Sequence, residues 1–181
     1  MIKGLMVFSN NMEDAEAIFT RDLLQRAGFK IDTVSFVKKE IVTAYGLTVI
    51  ADYSASDISL DEYEFLILPG GKYVEEIIDK DTQIKDLVEW FNKENKWIAA
   101  ICAAPRFLGQ LGLLEGKKFT CFPSCEIDVK NGIYQKNEKA VRDGKIITGR
   151  SVGAVVEFCS LIIESVLSCE TVKKIIQEII Y

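Results

Sequence analysis

The stretch 97-WIAAICAAPRFLG-109 sets one cysteine, Cys102, inside an apolar run, with small residues on both sides and a proline three positions on. A buried strand needs no such pattern. The spacing places the thiol between a strand and the first turn of a helix, where the positive end of the helix dipole favours thiolate. A junction this sharp resembles a nucleophile elbow, which requires small residues two before and two after the nucleophile; Ala100 and Ala104 meet that demand. The elbow, the dipole and a Glu16 carboxyl acting together would lower the thiol from its ordinary value near 8.5 to about 4–7. A cysteine that merely fills core space remains the alternative on position alone. The chain contains no histidine, so any base for Cys102 must be something else.

Carboxylates are the next candidates. Glu13, Asp14 and Glu16 open a helix directly after the first apolar segment. All three would complement the helix dipole, and that is the simpler reading. Glu16, however, is flanked by Ala15 and Ala17, which leaves room for a carboxylate turned inward.

The elements that must hold these groups follow from periodicity. Residues 2–8, 64–68 and 97–101 are nearly all apolar, as strands covered on both faces are. Helices are expected over 13–28 (closed by Gly28), 73–96 with a break near Asp79, 103–114, 152–167 and 170–180. Further strands are expected at 30–36 and 117–122, with hairpins turning at Gly46 and at Asp143-Gly144. Strands alternate with helices throughout, which predicts one α/β domain over 1–181, a mainly parallel sheet with helices on both faces. Ligands of such sheets gather at the C-terminal strand ends. Three loops leave those ends, 9–17, 69–73 and 102–105, and Gly70 and Gly71 let the second turn its amides toward a ligand.

Composition excludes other classes. With 22 basic and 27 acidic residues the net charge is −5, which argues against nucleic-acid binding. No apolar run nears the roughly 18 residues that span a bilayer, and the cytoplasm is the expected location. The five cysteines, at 102, 121, 125, 159 and 169, are expected as free thiols. Only one close pair exists and no histidine, so neither a metal nor another cofactor is expected.

Four blocks, 13-EDAEA-17, 66-LILPGG-71, 99-AAICAAP-105 and 148-TGRSVGAVVEF-158, in that order and spacing, resemble the ThiJ/PfpI superfamily, more narrowly its DJ-one branch. The resemblance implies a flavodoxin-like three-layer sandwich and a homodimer. It puts Cys102 at the family's oxidisable nucleophile and Glu16 at its buried glutamic acid. It puts the amides of Gly71 and Ala103 at the oxyanion-hole donors, and Arg26 and Arg150 at basic positions, Arg26 near the dimer interface. Gly70, Cys121, Phe122 and Arg150 are the candidate site neighbours; Cys121 lies by a loop that should approach the site, and a redox-partner role is the less favoured of its readings. Many superfamily members carry a histidine where this chain has Phe122, so a protease-type Cys-His pair is excluded. The implied function is cysteine-dependent detoxification of reactive dicarbonyls or repair of their glycated adducts, of glyoxalase or deglycase type. A redox sensor or redox-regulated chaperone is the alternative, ahead of a cysteine amidase or peptidase.

Overall fold

The computed structural model describes residues 1–80 and 82–181. The chain begins with β1 (Lys3–Val7), α1 (Asp14–Arg26) and β2 (Lys30–Ser35), followed by the short strands β3 (Glu40–Val42), β4 (Thr48–Ile50) and β5 (Tyr53–Ser54). Next come β6 (Phe65–Leu68), α2 (Lys72–Ile77), α3 (Gln83–Lys93), β7 (Trp97–Ile101) and α4 (Pro105–Gln110). The last part holds β8 (Lys118–Phe119), β9 (Ile133–Tyr134), β10 (Ala140–Asp143), β11 (Ile146–Gly149), α5 (Val155–Val166) and α6 (Cys169–Glu178).

Seven strands form the central sheet in the order β10-β11-β7-β6-β1-β2-β5. Every pairing in it is parallel except β10 with β11, the hairpin at Asp143-Gly144. From β1 the chain moves one way to β2, then returns to place β6 and β7 on the other side. Right-handed crossovers in opposite directions put α1 and α3 on opposite faces. The reversal falls between β1 and β6, and this is the crevice where an open α/β sheet takes its ligand. Met6 pairs with Ile67, Leu68 with Ala100, and Ile101 with Gly149, so the C-terminal ends of β1, β6, β7 and β11 reach one edge together.

The helices cover the sheet through single apolar stripes. In α1 the buried residues are Glu16, Ala17, Thr20, Leu23 and Leu24, a helical-period face whose first member is a carboxylate. Its end is the expected one: Gly28 has φ 96° and donates to Gln25 O, and Phe29 donates to Leu24 O, a Schellman cap. In α3 the stripe is Ile84, Leu87, Val88 and Phe91.

Several elements are shorter than their sequence suggests. The helix expected over 103–114 is α4 alone, because its chain turns at Gly112 and Gly116, both with positive φ. The strand expected over 117–122 keeps only Lys118 and Phe119 in ladder, paired to β9. The helical stretch expected over 73–96 does break near Asp79 as expected, into α2 and α3, and Asp81 between them lies outside the described residues. Among the described residues no helix is long and apolar enough to cross a membrane.

Candidate active site

Cys102 occupies the turn from β7 to α4 with φ 64°, a left-handed conformation that non-glycine residues rarely adopt and that collects at functional sites. Two bonds hold the turn. The Cys102 amide donates to Gly149 O at 2.9 Å, and Cys102 O accepts from the Phe122 amide at 2.8 Å. Ala100 and Ala104 are both fully buried, as an elbow this tight demands.

Glu16 reaches the same point from α1. The Glu13 side chain caps that helix, accepting from the Glu16 amide at 2.6 Å. The Glu16 carboxylate, 1% exposed, accepts from the Gly70 amide at 3.0 Å and is hydrogen-bonded to Cys102 and to the Val152 amide. Gly70 is required by this crowding. A Cβ there would lie 2.5 Å from Cys102 Cβ and 2.6 Å from Glu16 Oε2. Gly71, at φ 123°, would bring a Cβ within 2.5 Å of Asn11 O and Glu13 N.

Burial lifts the Glu16 carboxyl from 4.5 to about 7, with the bond from Cys102 pulling the other way. Burial, and then the Glu16 carboxylate, also push the Cys102 thiol up, while the Ala103 amide favours its thiolate. This corrects the expectation of a dipole-depressed thiol: α4 is only six residues long, and desolvation outweighs its dipole. Two charges in contact in so buried a place do not both form. The pair therefore titrates as a unit, holding one proton and one negative charge above about pH 7.

Cys102 and Glu16 face a cavity of about 640 Å³. Gly71 and Ala103 line it, with Phe122 on its rim. Arg150 does not: its amide donates to Lys139 O and its guanidinium to Lys136 O, so the site-neighbour expectation is not met within the chain. Cys121 is fully buried and does not line the cavity either. Arg26 binds Asp22 at 2.7 Å and Glu178 at 2.8 Å, tying α1 to α6.

The cavity also takes residues that sequence reasoning passed over. Arg106 sits in the first turn of α4, four residues after Cys102, and is paired with Asp128; its place at the start of the helix that follows the elbow was a usable signal. Ser151 and Val152 come from the loop after β11, a fourth strand-end loop. Tyr45 comes from the β3-β4 hairpin, carried in by bonds from Asn11 N to Val42 O and from Ala44 N to Met12 O. Cys125 joins from the segment after Phe122. No group of side chains able to hold a metal ion occurs among the described residues.

Residues 3–165 match the DJ-1/PfpI family. The dj-1beta protein of Drosophila melanogaster is 30% identical over 174 residues, 95% of this chain and 93% of that one. A Pyrococcus furiosus protein named Deglycase PfpI is 29% identical over 153 residues, 84% of this chain and 92% of its own. The structure of oxidized DJ-1 from Toxoplasma gondii superposes with a TM-score of 0.91 at 26% identity, covering 100% of this chain and 99% of that one. With the match spanning the sheet, the elbow and α5, the chain belongs to the DJ-1/PfpI family.

Proposed function

We propose that the protein is a cysteine-dependent enzyme of carbonyl stress, converting reactive dicarbonyls without glutathione or releasing them from glycated side chains. One observation carries the reading: a thiol and a buried carboxyl, hydrogen-bonded at the floor of an open cavity, with the carboxyl poised near pH 7. A group titrating near the working pH is the one best suited to move protons in both directions. The names of the archaeal relatives, several of them deglycases, agree with it.

The chemistry runs on the pair alone. Cys102 sulfur adds to the aldehyde carbon of methylglyoxal, and its proton passes through Glu16 to the carbonyl oxygen, giving a hemithioacetal. The Glu16 carboxylate then takes the proton from C1, giving an enediolate, and returns it at C2, while the hydroxyl proton on the C1 oxygen passes to the C2 oxygen; C1 becomes the carbonyl of a lactoyl thioester. Water cleaves the thioester, releasing lactate and restoring the thiol. The oxyanion-hole role that the resemblance gives to the amides of Gly71 and Ala103 is part of this reading, and it is supported by both residues lining the cavity beside Cys102. The exposed rim residues Tyr45, Phe122 and Ile127 leave space for a bulkier adduct carried on a side chain. The homodimer expected from the family is part of this reading.

The redox reading also has support. A protonated Glu16 is placed to donate to an oxidised Cys102, and one of the related structures is of an oxidized protein. An amidase or peptidase fits less well, for the chain holds no histidine. Lactate formed from methylglyoxal without glutathione, by wild type and Cys102→Ser, tests the proposal. Turnover lost in the variant is the expected result. A wild type with its thiol reduced and no turnover overturns it in favour of redox sensing.

A further inference from the structure

Two thiols line the cavity, and the mechanism uses one. Cys125 opens the short 3-10 turn Cys125–Asp128 and faces the same space as Cys102. The segment that carries it is fastened at both ends to the elbow region. At its start the Phe122 amide donates to Cys102 O at 2.8 Å, and the Cys125 amide donates back to Phe122 O at 3.0 Å. At its end Asp128 is paired with Arg106, on the helix that Cys102 precedes. Between them Ser124 is held at φ 79°, a left-handed conformation that costs a serine about 1–2 kcal/mol. That reversal turns Cys125 back over the cavity. The charge of Cys125 is felt at Cys102, and the Cys125 thiol is itself pushed up by burial, with the Arg106 guanidinium opposing that shift. Cys121, four residues earlier, is fully buried and does not line the cavity.

We propose that Cys125 is the resolving thiol of Cys102, closing an intramolecular disulfide once peroxide has oxidised the nucleophile. The proposal rests on Cys102 being the reactive thiol. The Cys102 thiolate attacks hydrogen peroxide and becomes a sulfenic acid, releasing hydroxide. The Cys125 thiol then attacks that sulfur; the S–S bond forms and the hydroxyl leaves as water. Peroxide is the oxidant in the first step, and an external dithiol reopens the disulfide by exchange. A second peroxide would instead carry the sulfenic acid to sulfinic acid, which a dithiol does not reverse. The competition favours Cys125, because a tethered thiol acts at an effective concentration of about millimolar or more, well above dilute peroxide. Closure requires Cβ atoms about 3.5–4.5 Å apart. The fixed partner is the elbow; Phe122, Pro123 and Ser124 are all exposed, so the three residues that lead into Cys125 have little packing to give up as it draws in, while Cys125 itself is half-buried against the core. The disulfide would shield Cys102 from irreversible oxidation and hold the site inactive until reduced.

Reduced full-length wild type, Cys125→Ser and Cys121→Ser are treated with a few equivalents of hydrogen peroxide, then read by intact mass and peptide mapping before and after dithiothreitol. Wild type is expected to lose about 2 Da as a Cys102–Cys125 disulfide, and dithiothreitol to restore it. Cys125→Ser is expected to gain about 32 Da at Cys102, beyond rescue by dithiothreitol. Cys121→Ser is expected to follow wild type. A wild type that gains the same two oxygens, a bond mapping to Cys121, or a disulfide between chains overturns the proposal. If Cys102 stays reduced in all three, the redox reading falls with it, while lactate formation by the reduced protein is read separately.

Discussion

Replacing Glu16 by glutamine should change how stability depends on pH. The folded chain holds the Glu16 proton more tightly than the unfolded chain, with a midpoint of about 7 against 4.5. Its contribution is therefore fully present below pH 4.5 and is lost as pH rises through 7. A midpoint lifted by that interval corresponds to about 3 kcal/mol. The glutamine amide has no proton to lose, so Glu16→Gln lacks this loss. Urea unfolding of both proteins from pH 4.5 to 8 is the assay. Wild type should lose about 3 kcal/mol relative to the variant across that range, or about 6–12 °C in melting temperature for a chain of this size. With no histidine in the sequence, little else titrates in the window to obscure the difference. Parallel curves for the two proteins would refute a buried, proton-holding Glu16.

Other outcomes follow from the same geometry. Cys102→Ala removes the hydrogen bond that favours ionised Glu16, so the stability loss should shift to higher pH, above 7, in the same unfolding series. Gly71→Ala must strain a backbone at φ 123° and push against Asn11 and Glu13; a loss of about 1–3 kcal/mol in unfolding and a fall in lactate formation are expected. Gly28→Ala has open space around the new methyl, so only its positive φ counts: about 1 kcal/mol of stability, with turnover unchanged.

The elbow was legible because its demands are local. A buried strand, small flanks and Pro105 in the first turn all fall within nine residues of sequence, and the structure adds the left-handed φ at Cys102. Glu16 was legible only as an option. Pattern alone favoured a dipole role, and what turns the side chain inward is the apolar stripe of α1 that it heads. The rest of the cavity wall was hidden because it is assembled by long-range contacts. Tyr45 arrives on a hairpin docked to the loop after β1, and Cys125 arrives through the Phe122–Cys102 bond. The direction of the Cys102 shift is hidden for a related reason: helix position is written in the sequence, whereas the depth of burial and the contact with Glu16 are not. Arg150 was expected near the site from the resemblance, but its guanidinium bonds to Lys136 instead.

The central claim is that Glu16 carries the protons for a Cys102 nucleophile. The most direct measurement is lactate formation from methylglyoxal by Glu16→Gln, with Cys102 shown to be reduced and still alkylated by iodoacetamide. The account predicts a fall of about 10²–10⁴-fold, the usual worth of a general acid–base group. A variant that turns over as fast as wild type would contradict it.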